Sequence, residues 1–215
     1  MPDPRRVADA PLQTGRRTAI VTGASSGIGE ASARALASEG YEVVLVARRG
    51  DRLAQIAKEI EHAGGRAHPM AADLADEGET DRLFGRAMDA LGRLDLLVNN
   101  AGYSPGAALE QMSRSDVRRV LEVNLLSALQ LVSRAVPGMR AQGGGRIVNV
   151  GSLAGSIPAP LAIPYATSKV ALHAASDALR LELAPFGIRV ATIIPGFVDT
   201  AVFDNAREGA EHLRQ

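Results

Sequence analysis

Short unbroken apolar runs alternate along this chain with stretches of helical periodicity, and that alternation limits the fold more than any other feature. The runs TAIVT (18–22), YEVVLVA (41–47), 67–72, LDLLVN (94–99), GGGRIVNVGS (143–152) and IRVATII (188–194) read as strands. Segments 27–38, 51–62, 76–91, 115–140 and 165–185 read as helices between them, the first ended by Gly40 as a helix C′ residue. Strands that are apolar on every residue are buried on both faces. Strict strand–helix alternation with crossovers of this length gives an α/β fold, a doubly wound parallel sheet with helices on both faces. Six strands are expected, within a single domain over 16–200. Residues 1–15 are polar, carry Pro2, Pro4 and Pro11 and lack an apolar core, so they read as a flexible extension rather than a secretory signal.

The first strand runs into TGASSGIG, Thr22 to Gly29, which opens the first helix. Gly23 permits a tight turn, Gly27 lets the backbone approach a pyrophosphate, and Gly29 permits close packing. A helix start offers free N–H groups and a positive dipole end to phosphates. Together with Ser25, Ser26 and Ile28 this turn is expected to cradle a dinucleotide, although a glycine turn can also serve packing alone. The second strand ends VARRG, with Arg48 and Arg49 where an NAD site would place a carboxylate. The cofactor is therefore expected to be NADP, with NAD the less favoured choice.

Tyr165 and Lys169 stand four residues apart, which puts phenol and ammonium on one helix face. A nearby cation favours the phenolate and is expected to bring the tyrosine pKa down from its ordinary value of about 10. Ser152, just past the fifth strand, offers a hydroxyl to hold a carbonyl or alcohol oxygen. Lysine occurs only at 58 and 169 in an arginine-rich chain, and the two cations are not interchangeable at close-packed sites. YxxxK by itself also occurs on helices with no such role.

In order, TGASSGIG, NNAG (99–102), Asn124 in VNLL, Ser152 with Tyr165 and Lys169, and Pro195–Gly196 resemble the classical short-chain dehydrogenase/reductase family over roughly 16–200. The resemblance implies Tyr165 as general acid/base, Lys169 tuning it and bonding the nicotinamide ribose, and Ser152 orienting the carbonyl. It implies a proton-relay water held by Asn124, and cofactor contacts from Asp73, Leu74, Asn100, Ala101, Gly102, Pro195, Gly196, Val198 and Thr200, with Asn99 supporting the sheet. The implied activity is interconversion of a ketone or aldehyde and an alcohol by hydride transfer. Members of that family usually extend well beyond the Pro-Gly motif. Residues 201–215 are accordingly expected to begin a substrate-covering segment, with a seventh strand missing from the sequence given.

Other classes are disfavoured. The net charge is zero, so no basic field points to nucleic acid or a membrane surface. No run of about 18 apolar residues is present for a helical span. The absence of cysteine removes thiol chemistry and disulfides and fits a cytoplasmic setting. His62, His68, His173 and His212 lack ligand spacing and read as surface or structural residues, so no metal is expected. The apolar loop 153–164, with Phe197, Val202 and Phe203, suggests a mostly apolar carbonyl substrate. Surplus apolar residues on 115–140 and 165–185 suggest a homodimer or homotetramer. An NADP-binding sensor without turnover is the alternative from a different class. An epimerase or dehydratase of the extended branch would need a larger C-terminal part.

Overall fold

The computed structural model of the protein describes residues 16–157 and 160–196. Six parallel strands form one sheet in the order β3-β2-β1-β4-β5-β6. They are β1 (Arg17–Thr22), β2 (Tyr41–Ala47), β3 (Arg66–Ala71), β4 (Leu96–Asn99), β5 (Gly145–Val150) and β6 (Ile188–Ile193). The helices are α1 (Gly27–Ser38), α2 (Gly50–His62), α3 (Glu77–Leu91), α4 (Arg114–Leu121), α5 (Ser127–Ala141) and α6 (Ile163–Leu183). Each strand lies within two residues of the run that announced it.

Side-chain alternation along the central strands divides the core into two. On one face Ile20, Val44, Leu97, Ile147 and Val190 meet Leu83 of α3, Leu131 and Met139 of α5 and Leu183 of α6. On the other, Ala19, Val21, Val43, Leu45 and Val98 meet Ala33 and Ala37 of α1 and Leu53 and Ile56 of α2. Each fully buried leucine or isoleucine contributes about 1.5–3 kcal/mol relative to exposure. The central β1 and β2 are buried almost throughout; of the edge strands, β6 alternates with Ile188 and Val190 inward, while β3 buries only Ala67 on one face and Met70 on the other.

The long helix expected over 115–140 is in fact broken. Between α4 and α5 a wide π turn, Glu122–Leu126, carries Asn124. Such turns insert an extra residue and interrupt the i→i−4 ladder, which hydrophobic periodicity cannot reveal. α4 starts with Ser113 accepting from the Asp116 N–H while the Asp116 carboxylate accepts from the Ser113 N–H. α6 begins two residues earlier than expected, with Pro164 and Tyr165 in its first turn and Lys169 one turn further on.

Strand order reverses between β1 and β4, with successive strands added outward on either side, and the crevice outside the strand carboxyl ends at such a point is where ligands bind in open α/β sheets. Gly23, Arg48, Asp73, Asn100 and Ser152 all follow the carboxyl ends of their strands.

Candidate active site

The carboxyl ends of β1 to β4 open onto one cleft of about 370 Å³, lined by Gly23, Ser25, Ser26, Gly27, Ile28, Arg48, Arg49, Asp73, Leu74, Asn100, Ala101 and Gly102. Gly23 (φ +67°) and Gly27 (φ +54°) adopt the left-handed conformation that glycine tolerates without strain. Gly29 is glycine for lack of space. A Cβ there would lie 2.3 Å from the Gly23 carbonyl oxygen and 2.4 Å from Asn100 Nδ2. Asn100 braces the turn by donating from Nδ2 to the Thr22 carbonyl at 2.9 Å. The N–H groups of Asn100 and Ala101 donate to Thr22 Oγ1 at 2.9 and 3.0 Å. Ser26 precedes α1 without a side-chain capping bond, so the first-turn N–H groups face the cleft wall as donors. A backbone cradle with no room for a Cβ fits a dinucleotide pyrophosphate.

Arg49 reaches back across the turn, donating from Nη2 to Ser26 Oγ at 2.9 Å and Ser25 Oγ at 3.0 Å. Arg48 stands exposed beside it. Asp73 accepts from Arg119 Nη2 at 2.8 Å and from the Ala75 N–H at 3.1 Å. Burial alone would raise the Asp73 pKa. The bonds from Arg119 and Ala75 and the charges of Arg119 and Arg48 outweigh it and hold the carboxyl below its ordinary value. Arg119 lines the cleft along with Tyr103, Ser104 and Val123. None of these four was read as a site residue; Arg119 in particular escaped because α4 reaches Asp73 only through the tertiary fold.

A second cluster adjoins the cleft at Gly102, where a Cβ would lie 3.8 Å from Lys169 Nζ and 4.0 Å from Asn124 Oδ1. Ser152, Tyr165 and Lys169 are 8%, 6% and 3% exposed. Lys169 Nζ donates to the Val150 carbonyl at 2.7 Å, and among the described residues no carboxylate offsets its burial. Burial of that ammonium pulls its pKa from 10.5 down to about 8. Tyr165 does the reverse of what the spacing implied: burial raises its phenol above 10.0, opposed by a hydrogen bond with Ser152. The ammonium lies 5.7 Å from the ring centroid and is committed to Val150, so desolvation decides the sign.

Asn124 ties this cluster to the cleft. Its Oδ1 accepts from the Tyr103 N–H at 2.7 Å, and Nδ2 donates to the Tyr103 carbonyl and to Ser168 Oγ, both at 3.0 Å. Ser168 donates in turn to the Tyr165 carbonyl at 2.6 Å. Deeper in, Asn99 Nδ2 donates to Asn149 Oδ1 at 2.9 Å, and Asn149 Nδ2 to Ser176 Oγ at 2.8 Å, linking β4, β5 and α6. Pro195 lies beside the Ser152 loop, its carbonyl accepting from the Leu153 N–H at 3.1 Å. Gly196 follows it. Val198 and Thr200 lie outside the described residues. His62 and His68 hold local contacts, to the Lys58 carbonyl and to Glu42. Among the described residues no helix is long and apolar enough to cross a membrane.

A family model described as short chain dehydrogenase matches residues 17–211. The ketoacyl reductase HetN of Nostoc sp. (strain PCC 7120) is 36% identical over 182 residues, covering 85% of this chain and 63% of that protein. The chain thus spans less than two thirds of the length of this relative. The uncharacterized oxidoreductase YusZ of Bacillus subtilis is 35% identical over 193 residues, covering 89% of this chain and 68% of that one. Among solved structures, a metagenomic short-chain oxidoreductase in complex with NADP superposes with a TM-score of 0.81 at 36% identity, covering 94% of this chain and 92% of that chain. A short-chain type dehydrogenase/reductase from Mycobacterium marinum gives a TM-score of 0.83 at 32% identity, covering 89% and 77%.

Proposed function

This chain belongs to the short-chain dehydrogenase family of oxidoreductases, and on that premise we propose that it is an NADP-dependent carbonyl reductase with Tyr165 as its proton donor. The observation that carries the reading is the hydrogen-bonded Ser152–Tyr165 pair, buried over Lys169, at the edge of a cleft built for a dinucleotide.

The glycine turn and the start of α1 would hold the pyrophosphate, and Asp73 and Leu74 the adenine side. Arg48 and Arg49 would hold a 2′-phosphate. With two guanidinium groups at the end of β2, and the Asp73 carboxylate already paired with Arg119, the wall favours an extra phosphate over a bare hydroxyl. When bound, the nicotinamide supplies hydride to a carbonyl carbon or takes it from an alcohol.

The side chains do the rest. Ser152 Oγ holds the substrate oxygen. Tyr165, kept neutral by its burial, gives that oxygen a proton as charge develops on it. Lys169, buried against the Val150 carbonyl, places positive charge beside the phenol as the proton leaves. Asn124 Oδ1 keeps a second lone pair next to Gly102, where a water could pass protons outward from Lys169. A raised tyrosine pKa suits the donor role, and hence reduction.

Exposed Ile157 and Ile163 flank the cluster and support an apolar substrate. The name of the Nostoc relative makes ketoacyl compounds the first class to try. Exposed Leu126 and Val170 support assembly of two or more copies through the α5 and α6 region. The test is NADPH and NADH oxidation against a panel of ketoacyl thioesters, apolar ketones and aldehydes. The expected outcome is turnover with at least one apolar carbonyl, with kcat/KM about tenfold or more higher for NADPH, as one charge-assisted contact provides. Equal or better use of NADH overturns the cofactor assignment, and NADPH binding without any turnover overturns the enzyme assignment.

A further inference from the structure

Three successive N–H groups follow β5, and only two of them go to β6 and the residues just after it. Gly151 N–H donates to the Ile193 carbonyl at 2.8 Å and Leu153 N–H to the Pro195 carbonyl at 3.1 Å. The one between belongs to Ser152, whose backbone is extended (φ −163°, ψ 150°) and so directs its N–H away from its neighbours' partners. It donates to His173 Nε2 at 3.3 Å. His173 lies one helical turn beyond Lys169 on the same face of α6. We propose that His173 is a positioning residue, a neutral imidazole strut that fixes the Ser152 segment against α6 and thereby sets Ser152 relative to Tyr165.

The loop is shaped around this ring. A Cβ at Gly151 would lie 2.1 Å from His173 Nε2, and one at Gly155 would lie 2.8 Å from Cε1. Both glycines therefore leave space that the imidazole fills. The bond from Ser152 requires Nε2 to be the unprotonated nitrogen, so the neutral ring carries its proton on Nδ1. Protonation turns Nε2 into a donor facing a donor. The strut then fails, and a second positive charge stands one turn from Lys169.

The surroundings keep the ring neutral. Burial lowers the His173 pKa below 6.5, the Lys169 charge lowers it further, and Asp177, one turn on, works in the opposite direction. The Gly151–Gly155 segment brings no charged side chain. β6 brings only Arg189, near the opposite end of the strand from Ile193. The π turn and Asn124 meet α6 at Ser168, on another of its faces.

The inference rests on the carbonyl-reductase reading, and its consequence is an acid limb in the reduction rate that neither Tyr165 nor Lys169 supplies. Both of those carry their working protons at low pH. The test is kcat for carbonyl reduction from pH 5.5 to 8, with the NADPH Kd, in the wild type, His173→Leu and His173→Gln. A glutamine amide can accept from the Ser152 N–H but does not titrate. The wild type is expected to lose activity with a midpoint below 6.5. His173→Leu should lose about tenfold to a hundredfold in kcat at pH 7, as slight misplacement of a catalytic group does, with the NADPH Kd within about twofold. His173→Gln should recover most of that loss and show no acid limb.

Wild-type kcat and pH profile in His173→Leu overturn the proposal, as does an unchanged acid limb in His173→Gln. Equal loss in both variants together with NADPH affinity reduces His173 to packing and also overturns it. Should the leucine variant fail to fold, the acid limb of His173→Gln decides alone. A wild type that reduces no carbonyl at any pH overturns the parent reading instead, and this inference with it.

Discussion

At the carboxyl ends of β1 and β2 the cleft presents backbone N–H groups and exposed arginines, whereas past the end of β5 the fold withdraws Ser152, Tyr165 and Lys169 from water. The first region works through shape. Its glycines are fixed by φ or by clash, and its arginines remain in high dielectric, where their individual contacts are modest. The second works through desolvation, which moves the Lys169 pKa down to about 8 and the Tyr165 pKa up. Binding and proton transfer therefore depend on different physical terms, and a change in one region should leave the other largely intact.

The largest effect that would break this separation is at Gly29. A methyl group there meets the Gly23 carbonyl and the Asn100 amide, and so dismantles the turn rather than one contact. Over-packing of this kind costs about 1–3 kcal/mol. Gly29→Ala should weaken NADPH binding roughly tenfold to a hundredfold in a fluorescence titration, with Lys169 titrating as before. Undiminished affinity would show that the cradle is a packing device.

A smaller effect with a distinctive sign is expected at Lys169. The pKa is about 8 folded against 10.5 unfolded, so between those values the unfolded chain binds more protons. Stability contributed by this group therefore rises as pH rises from 8 toward 10.5, and below 8 the fold carries the full cost of a buried charge. Lys169→Met should abolish turnover yet stabilise the protein by up to about 3 kcal/mol in urea unfolding at pH 7, the size that a shift from 10.5 to about 8 corresponds to. Destabilisation by the same substitution would mean that the bond to Val150 outweighs desolvation.

What was legible in the sequence follows the same division. The alternating runs revealed the sheet, and TGASSGIG and VARRG revealed the turn and the paired arginines, because backbone conformation and strand ends are local matters. The Arg119–Asp73 pair, the bonds from Asn124 to Tyr103 and the seat of His173 beneath Gly151 join residues 46, 21 and about 20 positions apart in sequence, which no local pattern encodes. The π turn escaped notice because one extra residue hardly disturbs apolar periodicity. The direction of the Tyr165 shift was misjudged for a related reason: i,i+4 spacing gives proximity to Lys169 but not burial, and burial decides the sign.

The central claim is that Tyr165 transfers the proton while cofactor affinity comes chiefly from the cleft. It is tested most directly by measuring carbonyl-dependent NADPH oxidation and NADPH affinity side by side in Tyr165→Phe. The expected result is a fall in kcat on the order of 10²–10⁴-fold with an NADPH Kd within about twofold of wild type. Near-normal turnover in that variant, with the cofactor still bound, would contradict the account.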